Sequence, residues 1–330
     1  EAKYRDLDYA KKAYGIFAEN LRKSATTRAC IFATVHREAT LYLMDQLEEA
    51  GLRTMVGKVN MDRNCPDYLS EASARSSAEE TKLWLEDVKS RVYYNTMPIL
   101  TPRFIPSCTD ELMKLLKEIQ TETGLPVQSH LSENYGEISW VQELCPESEF
   151  YGDAYDRFGL FGNDVKTVMA HCVHSDAREI ARMKANGVFI AHCPESNMNL
   201  ASGVAPIRTY LDEGLHVGLG SDVAGGSTEN LFLAMAHAIQ ASKLRWRLKD
   251  DSLKPLTLPE TFYMATKGSG AFFGKVASFE EGYDLDLIVL DNARLKHPQQ
   301  LSIEQRLERM VYLADEREIH AKYVAGEQLF

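Results

Sequence analysis

The sequence predicts an α/β protein that is built from repeated βα units. Four segments share one pattern, in which an amphipathic helix ends at a glycine and a short, uniformly apolar run follows. Glycine can adopt the left-handed conformation that closes a helix, and a uniformly apolar strand is typical of a parallel sheet covered on both faces. The pattern favours either an open doubly wound sheet or a closed eight-stranded barrel.

The elements follow one another regularly along the chain. A helix over residues 8–23 precedes an apolar strand over residues 27–35. The four helix-glycine-strand units are residues 38–59, 110–130, 176–193 and 206–222. Two further strands are predicted over residues 97–101 and 167–171, which gives seven parallel strands, and a long helix is predicted over residues 228–245.

Near residue 277 the repeated βα pattern of the sequence stops. Strands are predicted there over residues 283–290 and 321–330. We therefore expect two domains, a barrel over residues 1–276 and the C-terminal part of a small β appendage with a closing helix over residues 277–330.

Composition limits the classes of partner. The 330 residues are 45% hydrophobic and 26% charged, an ordinary globular composition, and the net charge of −11 disfavours nucleic acid and anionic membranes. No apolar stretch reaches the roughly twenty residues that span a bilayer, so we expect a cytoplasmic protein. The six cysteines form no C-x-x-C pair and are expected to be reduced and mostly buried.

Polar residues at the predicted strand ends distinguish the two architectures. The strand over residues 97–101 runs into Arg103 and Phe104, and the strands that follow it end at His130, His171, His192 and Asp222. A barrel collects such residues at the C-terminal ends of its strands, whereas an open sheet would gather them near one switch point and carry a glycine-rich phosphate loop after its first strand. The sequence therefore predicts a (β/α)8 barrel.

Three of these residues are candidate metal ligands. His130, His171 and Asp222 offer the nitrogen and carboxylate donors that suit zinc or another divalent transition metal. Glu133 lies three residues after His130, where a carboxylate can shuttle protons between a metal-bound water and a substrate. The structural alternative is that each residue is only a buried, hydrogen-bonded polar group.

Other polar residues are weaker candidates. His174 follows His171 and is interpreted as a solvated neighbour rather than a second ligand, and His36 follows an early strand and is a candidate for the same pocket. The segment 220–226 is rich in glycine, but it lacks the lysine of a phosphate-binding loop and contains Asp222, so we interpret its glycines as room for substrate.

Several motifs together resemble the amidohydrolase superfamily and, within it, the guanine deaminases. The resemblance covers nearly the whole chain. Its motifs are residues 59–62, 101–104, 128–134, 169–172, 191–197, 219–226, 281–284 and 312–317. The segments around His130, His171 and Asp222 resemble the superfamily as a whole, whereas the Pro-Arg-Phe segment that contains Arg103 and Phe104 resembles the guanine deaminases.

The resemblance implies a mechanism and a set of site residues. His130 and Asp222 would be ligands of one divalent metal ion, zinc or iron, and His171 would ligate it or position the attacking water. Asp222 would accept a proton from that water, and Glu133 would protonate the neighbouring ring nitrogen before ammonia leaves. Arg103 would hydrogen-bond the purine carbonyl edge while Phe104 packs on the ring, and His130 and His192 would also face the substrate. A homodimer is implied as well.

The sequence departs from the family at one motif. Family members carry a His-x-His pair on the first barrel strand, and no His-x-His occurs here. The seven predicted strands agree with this departure, so the barrel segments are interpreted as strands 2 to 8. We expect either an N-terminal segment of about a hundred residues outside this sequence or a natural inactive fragment. These residues alone are expected to be inactive.

Two alternatives stay open. One is a deaminase or hydrolase of another amino-substituted heterocycle, such as a pterin, a triazine, cytosine or adenine, because only Arg103 and Phe104 indicate guanine. The other is a catalytically dead barrel that acts as a binding protein, which the missing His-x-His favours and the retained Glu133 disfavours.

Overall fold

The computed structural model describes residues 1–330 and contains two compact units. The first unit comprises Glu1–Ala18 and Ala29–Phe189, and the second comprises Glu19–Arg28 and Ile190–Phe330. The predicted domain boundary between residues 276 and 277 stays a prediction.

The first unit alternates helices with short parallel strands. Its elements in chain order, with α1 extending into the second unit, are α1 (Leu7–Lys23), β1 (Arg28–Phe32), α2 (Arg37–Glu49), β2 (Arg53–Gly57), β3 (Val59–Asn60), α3 (Ala74–Arg91), β4 (Thr96–Pro98), β5 (Thr101–Pro102), α4 (Asp110–Thr123), β6 (Val127–Leu131), α5 (Tyr135–Leu144), α6 (Tyr151–Asp156), β7 (Thr167–His171) and α7 (Ala177–Asn186).

The strands of the first unit pair in parallel, as the sequence predicts. Strand β2 pairs with β4, β3 with β5, and β6 with β7. In the last pair His130 lies opposite Ala170, and Leu131 lies opposite His171. This register brings the two histidines to the same end of adjacent strands.

Local sequence signals explain where the helices begin and end. The Thr109 side chain accepts a hydrogen bond from Leu112 N at the start of α4, and Gly124 ends that helix with φ 68°. Asp176 caps α7 in the same way, and Gly187 ends it with φ 65°. These are the capping residues and left-handed glycines that helix ends favour. Amphipathic helices bury Leu43, Met44, Leu47, Leu112 and Leu116 completely.

The second unit continues the βα alternation and ends in an antiparallel sheet. Its elements are β8 (Phe189–His192), α8 (Pro194–Asn199), α9 (Ile207–Asp212), β9 (His216–Leu219), α10 (Leu231–Leu248), α11 (Leu258–Tyr263), β10 (Leu287–Leu290), α12 (Ile303–Leu313), β11 (Ile319–Val324) and β12 (Glu327–Gln328). A core cluster joins α10 to α12 through Phe232, Met235, Met310 and Val311.

Several predicted boundaries are wrong in the second unit. The strand predicted over residues 321–330 is a hairpin of β11 and β12, which turns at Ala325 and Gly326 with positive φ angles. The strand predicted from residue 283 begins at Leu287, because its partner β11 ends at Val324 and the chain turns at Ala325 and Gly326. The Asp284 and Asp286 side chains before it bind the Arg28 guanidinium. The strand predicted to reach Asp222 ends at Leu219.

All six cysteines are free, and four of them are buried, as predicted. None of the helices combines the length and the apolar character that crossing a membrane requires.

Candidate active site

His130 lies near the end of β6, and its hydrogen bond determines its tautomer. Its Nδ1 lies 2.6 Å from the main-chain oxygen of Arg103. A carbonyl oxygen can only accept a hydrogen bond, so Nδ1 carries the proton and Nε2 carries the lone pair. Burial, together with the neighbouring His171, lowers the pKa of His130 to about 4. The imidazole is therefore neutral near pH 7, as a metal ligand must be.

Aromatic rings surround His130. Phe32 lies 4.8 Å from it between ring centroids, and Phe104 lies 6.4 Å away. The ring of His171 stacks on that of His130, with 5.4 Å between centroids and 19° between planes. This low-dielectric surrounding disfavours an imidazolium and explains the direction of the pKa shift.

Glu133 lies close to His171. Ser132, with φ 46°, turns the chain immediately after β6, and the Ser132 hydroxyl donates to Glu179 at 2.7 Å. Beyond this turn, Glu133 Oε2 lies 3.8 Å from His171 Nε2. A water molecule or a substrate atom can bridge such a separation. His171 is 1% exposed and has φ 72°, a strained conformation for a residue with a side chain.

Arg103 and Phe104 follow β5 directly. The Arg103 main-chain N–H donates to Asn60 at 3.1 Å, which holds the peptide in place. Its guanidinium is 43% exposed and pairs with Glu1 at 2.8 Å. The Phe104 ring makes an edge contact with Trp140, with 6.2 Å between centroids. The backbone of Arg103 is therefore fixed while its charged group remains accessible.

The second unit carries the remaining predicted site residues. His192 ends β8 and is 2% exposed. Asp222 lies in the loop after β9, with φ 48°. The glycines of this loop are needed by the loop itself, since a Cβ at Gly225 would lie 2.6 Å from Asp222 Oδ2 and one at Gly226 would lie 2.0 Å from Ser221 O.

The chemistry of the candidate donors suits a divalent metal. A neutral imidazole that offers Nε2 and a carboxylate are donors that zinc and iron accept, and the contact between His130 Nδ1 and Arg103 supplies the outer hydrogen bond that ligating histidines make. No group of three or more His, Cys, Asp or Glu side chains in the chain is close enough together to hold a metal ion. The ligand set His130, His171 and Asp222 therefore remains a proposal.

Two histidines that the sequence singled out have other neighbours. The His174 ring packs on Tyr135 with 4.0 Å between centroids. His36 precedes α2, and burial lowers its pKa. A cavity of about 310 Å³ beside His36 is also lined by Tyr4, Arg5 and Glu80. These contacts assign neither histidine to the chemistry around His130.

The contacts of several buried polar residues on β6 and on the helices that follow it were not predicted from the sequence. Ser129 and Tyr155 bond the ends of β5 and β6, and Glu137 and Glu179 lie buried near the Glu133 turn. Burial raises the pKa of Glu137 to about 7, with the Glu133 and Glu179 carboxylates adding to the shift. No periodicity distinguishes Tyr155, because its partners lie about 25 residues away along the chain.

Comparisons with known proteins show the family of the chain. The amidohydrolase family model matches residues 5–329. A guanine deaminase from Dictyostelium discoideum is 34% identical over 336 residues, which cover 100% of this chain and 74% of that protein. The solved structure of a guanine deaminase from C. acetobutylicum, with guanine bound in its active site, is 48% identical with a TM-score of 0.95 and covers 100% of this chain and 78% of that chain.

A more distant structure shares the fold alone. An adenosine deaminase from Xanthomonas campestris with bound zinc is 21% identical, has a TM-score of 0.80, and covers 97% of this chain and 69% of that chain. The predicted fold class, an α/β TIM-type barrel of the amidohydrolase kind, is confirmed by the family match and the structural similarity. The chain therefore belongs to the amidohydrolase family, and the relatives that it matches within that family are guanine deaminases.

Proposed function

We propose that this protein hydrolyses guanine, with water replacing the exocyclic amino group to give xanthine and ammonia. The observation that carries the proposal is the 2.6 Å contact between His130 Nδ1 and the Arg103 main-chain oxygen. This contact supports the proposal because the segment that we propose to bind the purine lies beside the proposed metal ligand. The 48% identity with a guanine deaminase that binds guanine in its active site supports the same substrate.

Arg103 and Phe104 would recognise the base. A guanidinium donates two parallel hydrogen bonds in one plane, which suits the carbonyl edge of a purine, and an aromatic ring offers a face or edge for the base to pack on. The half-exposed Arg103 would exchange its Glu1 partner for the substrate. His192 would contribute a further contact to the base.

One divalent metal ion, zinc or iron, would be held by His130, His171 and Asp222. When bound, such an ion lowers the pKa of a water molecule so that a nucleophile forms at neutral pH. The neutral imidazole of His130 and the carboxylate of Asp222 are the donor types that support this assignment. His171 would serve as a ligand or orient the attacking water.

Protons would move through two carboxylates. Asp222 would accept the proton of the attacking water, and Glu133 would protonate the ring nitrogen next to the amino-bearing carbon. The amino group would then leave as ammonia with the proton that Asp222 had accepted, and the added hydroxyl would give its proton to Glu133 as it becomes the new carbonyl of xanthine. The position of Glu133, 3.8 Å from His171, supports this role because a group beside the reacting water can reach both that water and the ring.

We further propose a cytoplasmic homodimer.

A substrate panel tests the proposed reaction. Ammonia release by the full-length protein would be measured with guanine, adenine, cytosine, a pterin and a triazine. Guanine should be turned over at least about 100-fold more efficiently than the others, because a site built to hydrogen-bond one polar edge rejects analogues that lack it. Turnover of another heterocycle without guanine would replace the substrate, and no turnover at all would favour a binding protein.

Elemental analysis separates an enzyme from a binding protein. The full-length protein should contain about one zinc or iron per chain, and a chelator should abolish ammonia release until metal is restored. Protein that is purified without any such metal, and that gains no activity when metal is added, would contradict the proposal.

A further inference from the structure

Two buried hydroxyl groups lie where the ends of β5 and β6 meet. Ser129 and Tyr155 are both 0% exposed. The Ser129 hydroxyl donates to the Pro102 oxygen at 2.7 Å and lies 3.1 Å from the Arg103 oxygen. Tyr155 Oη lies 2.8 Å from Ser129 Oγ and 2.8 Å from the His130 oxygen.

These contacts connect the candidate substrate segment to the candidate metal ligand. The Ser129 hydroxyl bonds the carbonyls of Pro102 and Arg103, and the Tyr155 hydroxyl bonds the carbonyl of His130. Because the two hydroxyls also contact each other, the ends of β5 and β6 are linked by one network. The Arg103 oxygen also accepts the His130 Nδ1 proton. Any movement of one strand end would lengthen hydrogen bonds that are fully buried, and buried carbonyls left without a donor are destabilising.

Packing restrains the tyrosine at the centre of this network. The Tyr155 ring is nearly parallel to the Tyr151 and Phe161 rings, at centroid distances of 5.8 and 6.3 Å. Tyr155 comes from α6, a different element from the two strands that it joins. A fully buried ring that packs against two aromatic neighbours keeps its hydroxyl at one position relative to the strand ends.

We propose that Tyr155 is a positioning residue that acts through Ser129 to hold Arg103 in register with His130. The inference rests on the proposed function, in which Arg103 binds the purine beside the metal ligand. Tyr155 touches neither substrate nor metal in this scheme. Its effect arises because a displacement of about 1 Å between recognition and reaction groups can lower the rate by up to about 100-fold.

The test compares two tyrosine variants of the full-length, metal-containing protein. Tyr155→Phe removes only the hydroxyl of the network, and Tyr93→Phe is the control because Tyr93, in the segment after α3, bonds Asp45 of α2 through its Oη at 2.7 Å. We expect Tyr155→Phe to lower kcat/KM for guanine about 10-fold, mainly by raising KM, with unchanged metal content. Tyr93→Phe should stay within about twofold of the wild type.

A second substitution and a second background make the test specific. Ser129→Ala should change kcat/KM in the same direction, and it serves as the test if Tyr155→Phe does not fold. In the Arg103→Ala background, Tyr155→Phe should lower kcat/KM by less than about threefold, since no guanidinium remains to be positioned.

The possible outcomes separate the two proposals. Equal losses from Tyr155→Phe with and without Arg103, or equal losses from Tyr155→Phe and Tyr93→Phe, would overturn the positioning role while guanine turnover by the wild type still stands. A wild-type protein that does not deaminate guanine would overturn the proposed function and, with it, this inference.

Discussion

Glu133 and His171 are held 3.8 Å apart, from Oε2 to Nε2, although they belong to different βα units of the chain. The separation depends on the parallel register of β6 and β7 and on the left-handed turn at Ser132. A carboxylate fixed beside a buried imidazole can transfer a proton between a water molecule at the imidazole and a bound substrate.

Replacement of Glu133 by glutamine should abolish this proton transfer. Glu133→Gln keeps the shape and polarity of the side chain, so the metal content should not change, while kcat for guanine should fall by about 100- to 10,000-fold. Steady-state kinetics with elemental analysis checks both expectations. Glu122→Gln, at an exposed position in α4, is the control and should retain wild-type kcat. A Glu133→Gln protein with kcat within twofold of wild type would exclude the shuttle role.

Replacement of Arg103 should affect recognition more than metal binding. Its main-chain groups bond Asn60 and His130, and these bonds survive Arg103→Ala. Loss of the charged donor should raise KM for guanine about 10- to 100-fold, the range expected for a hydrogen bond from a charged group. Arg75→Ala removes a surface arginine that pairs with Glu111 and serves as the control. Loss of metal in Arg103→Ala would show that Arg103 supports His130 instead.

The parallel strands could be predicted because each is a short apolar run, and four of the seven follow a glycine-terminated helix. Strand β7, which follows no such helix, covers the predicted residues 167–171. Helices α4 and α7 begin and end within one residue of the predicted ranges 110–122 and 176–186. Helix α3 was not predicted in this way. Its buried face carries Ser77 and Thr81, which accept hydrogen bonds from Asn60, so polar residues interrupt the apolar period that leads to Trp84 and Val88.

The candidate site could be predicted only for residues at strand ends. His130 and His171 stand where a parallel barrel exposes its chemistry, so the strand pattern alone indicates them. Tyr155 and Glu179 contact those strand ends from helices, and their partners are chosen by tertiary packing rather than by spacing. No local pattern in the sequence reports such contacts.

The buried carboxyl group of Glu137 should make stability depend on pH. Its pKa is raised to about 7 in the folded protein from an ordinary 4.5. The folded state therefore keeps a proton that the unfolded state loses, and stability should fall as pH rises from about 4.5 to about 7. The full shift corresponds to about 3 kcal/mol.

Glu137→Gln should remove this dependence. Denaturant unfolding at pH 5, 6, 7 and 8 would give the free energy of unfolding of each protein, and the wild type should lose about 2–3 kcal/mol relative to Glu137→Gln across that range. Glu143→Gln, at an exposed position of α5, should follow the wild type. Parallel pH profiles for the wild type and Glu137→Gln would show that Glu137 is ionised throughout.

Lys322 joins the C-terminal sheet to the end of α1 within the second unit. Its Nζ donates to the main-chain oxygens of Leu21, Arg22 and Ser24 at 3.2, 3.0 and 2.9 Å, and the side chain is 0% exposed. Burial lowers the pKa of Lys322 to about 7, and its ammonium form satisfies carbonyls at the helix C-terminus that have no partner within the helix. Lys322→Met should leave these carbonyls without a donor and lower the free energy of unfolding by about 2–4 kcal/mol.

Chemical unfolding of Lys322→Met and Lys11→Met provides the comparison. Lys11 lies on the exposed face of the same helix, so Lys11→Met should change stability by less than about 0.5 kcal/mol. The kcat and KM for guanine should be unchanged in both variants, because Lys322 contacts only the helix end. Equal losses of stability in Lys322→Met and Lys11→Met would show that the hydrogen bonds from Lys322 to the end of α1 do not stabilise the protein.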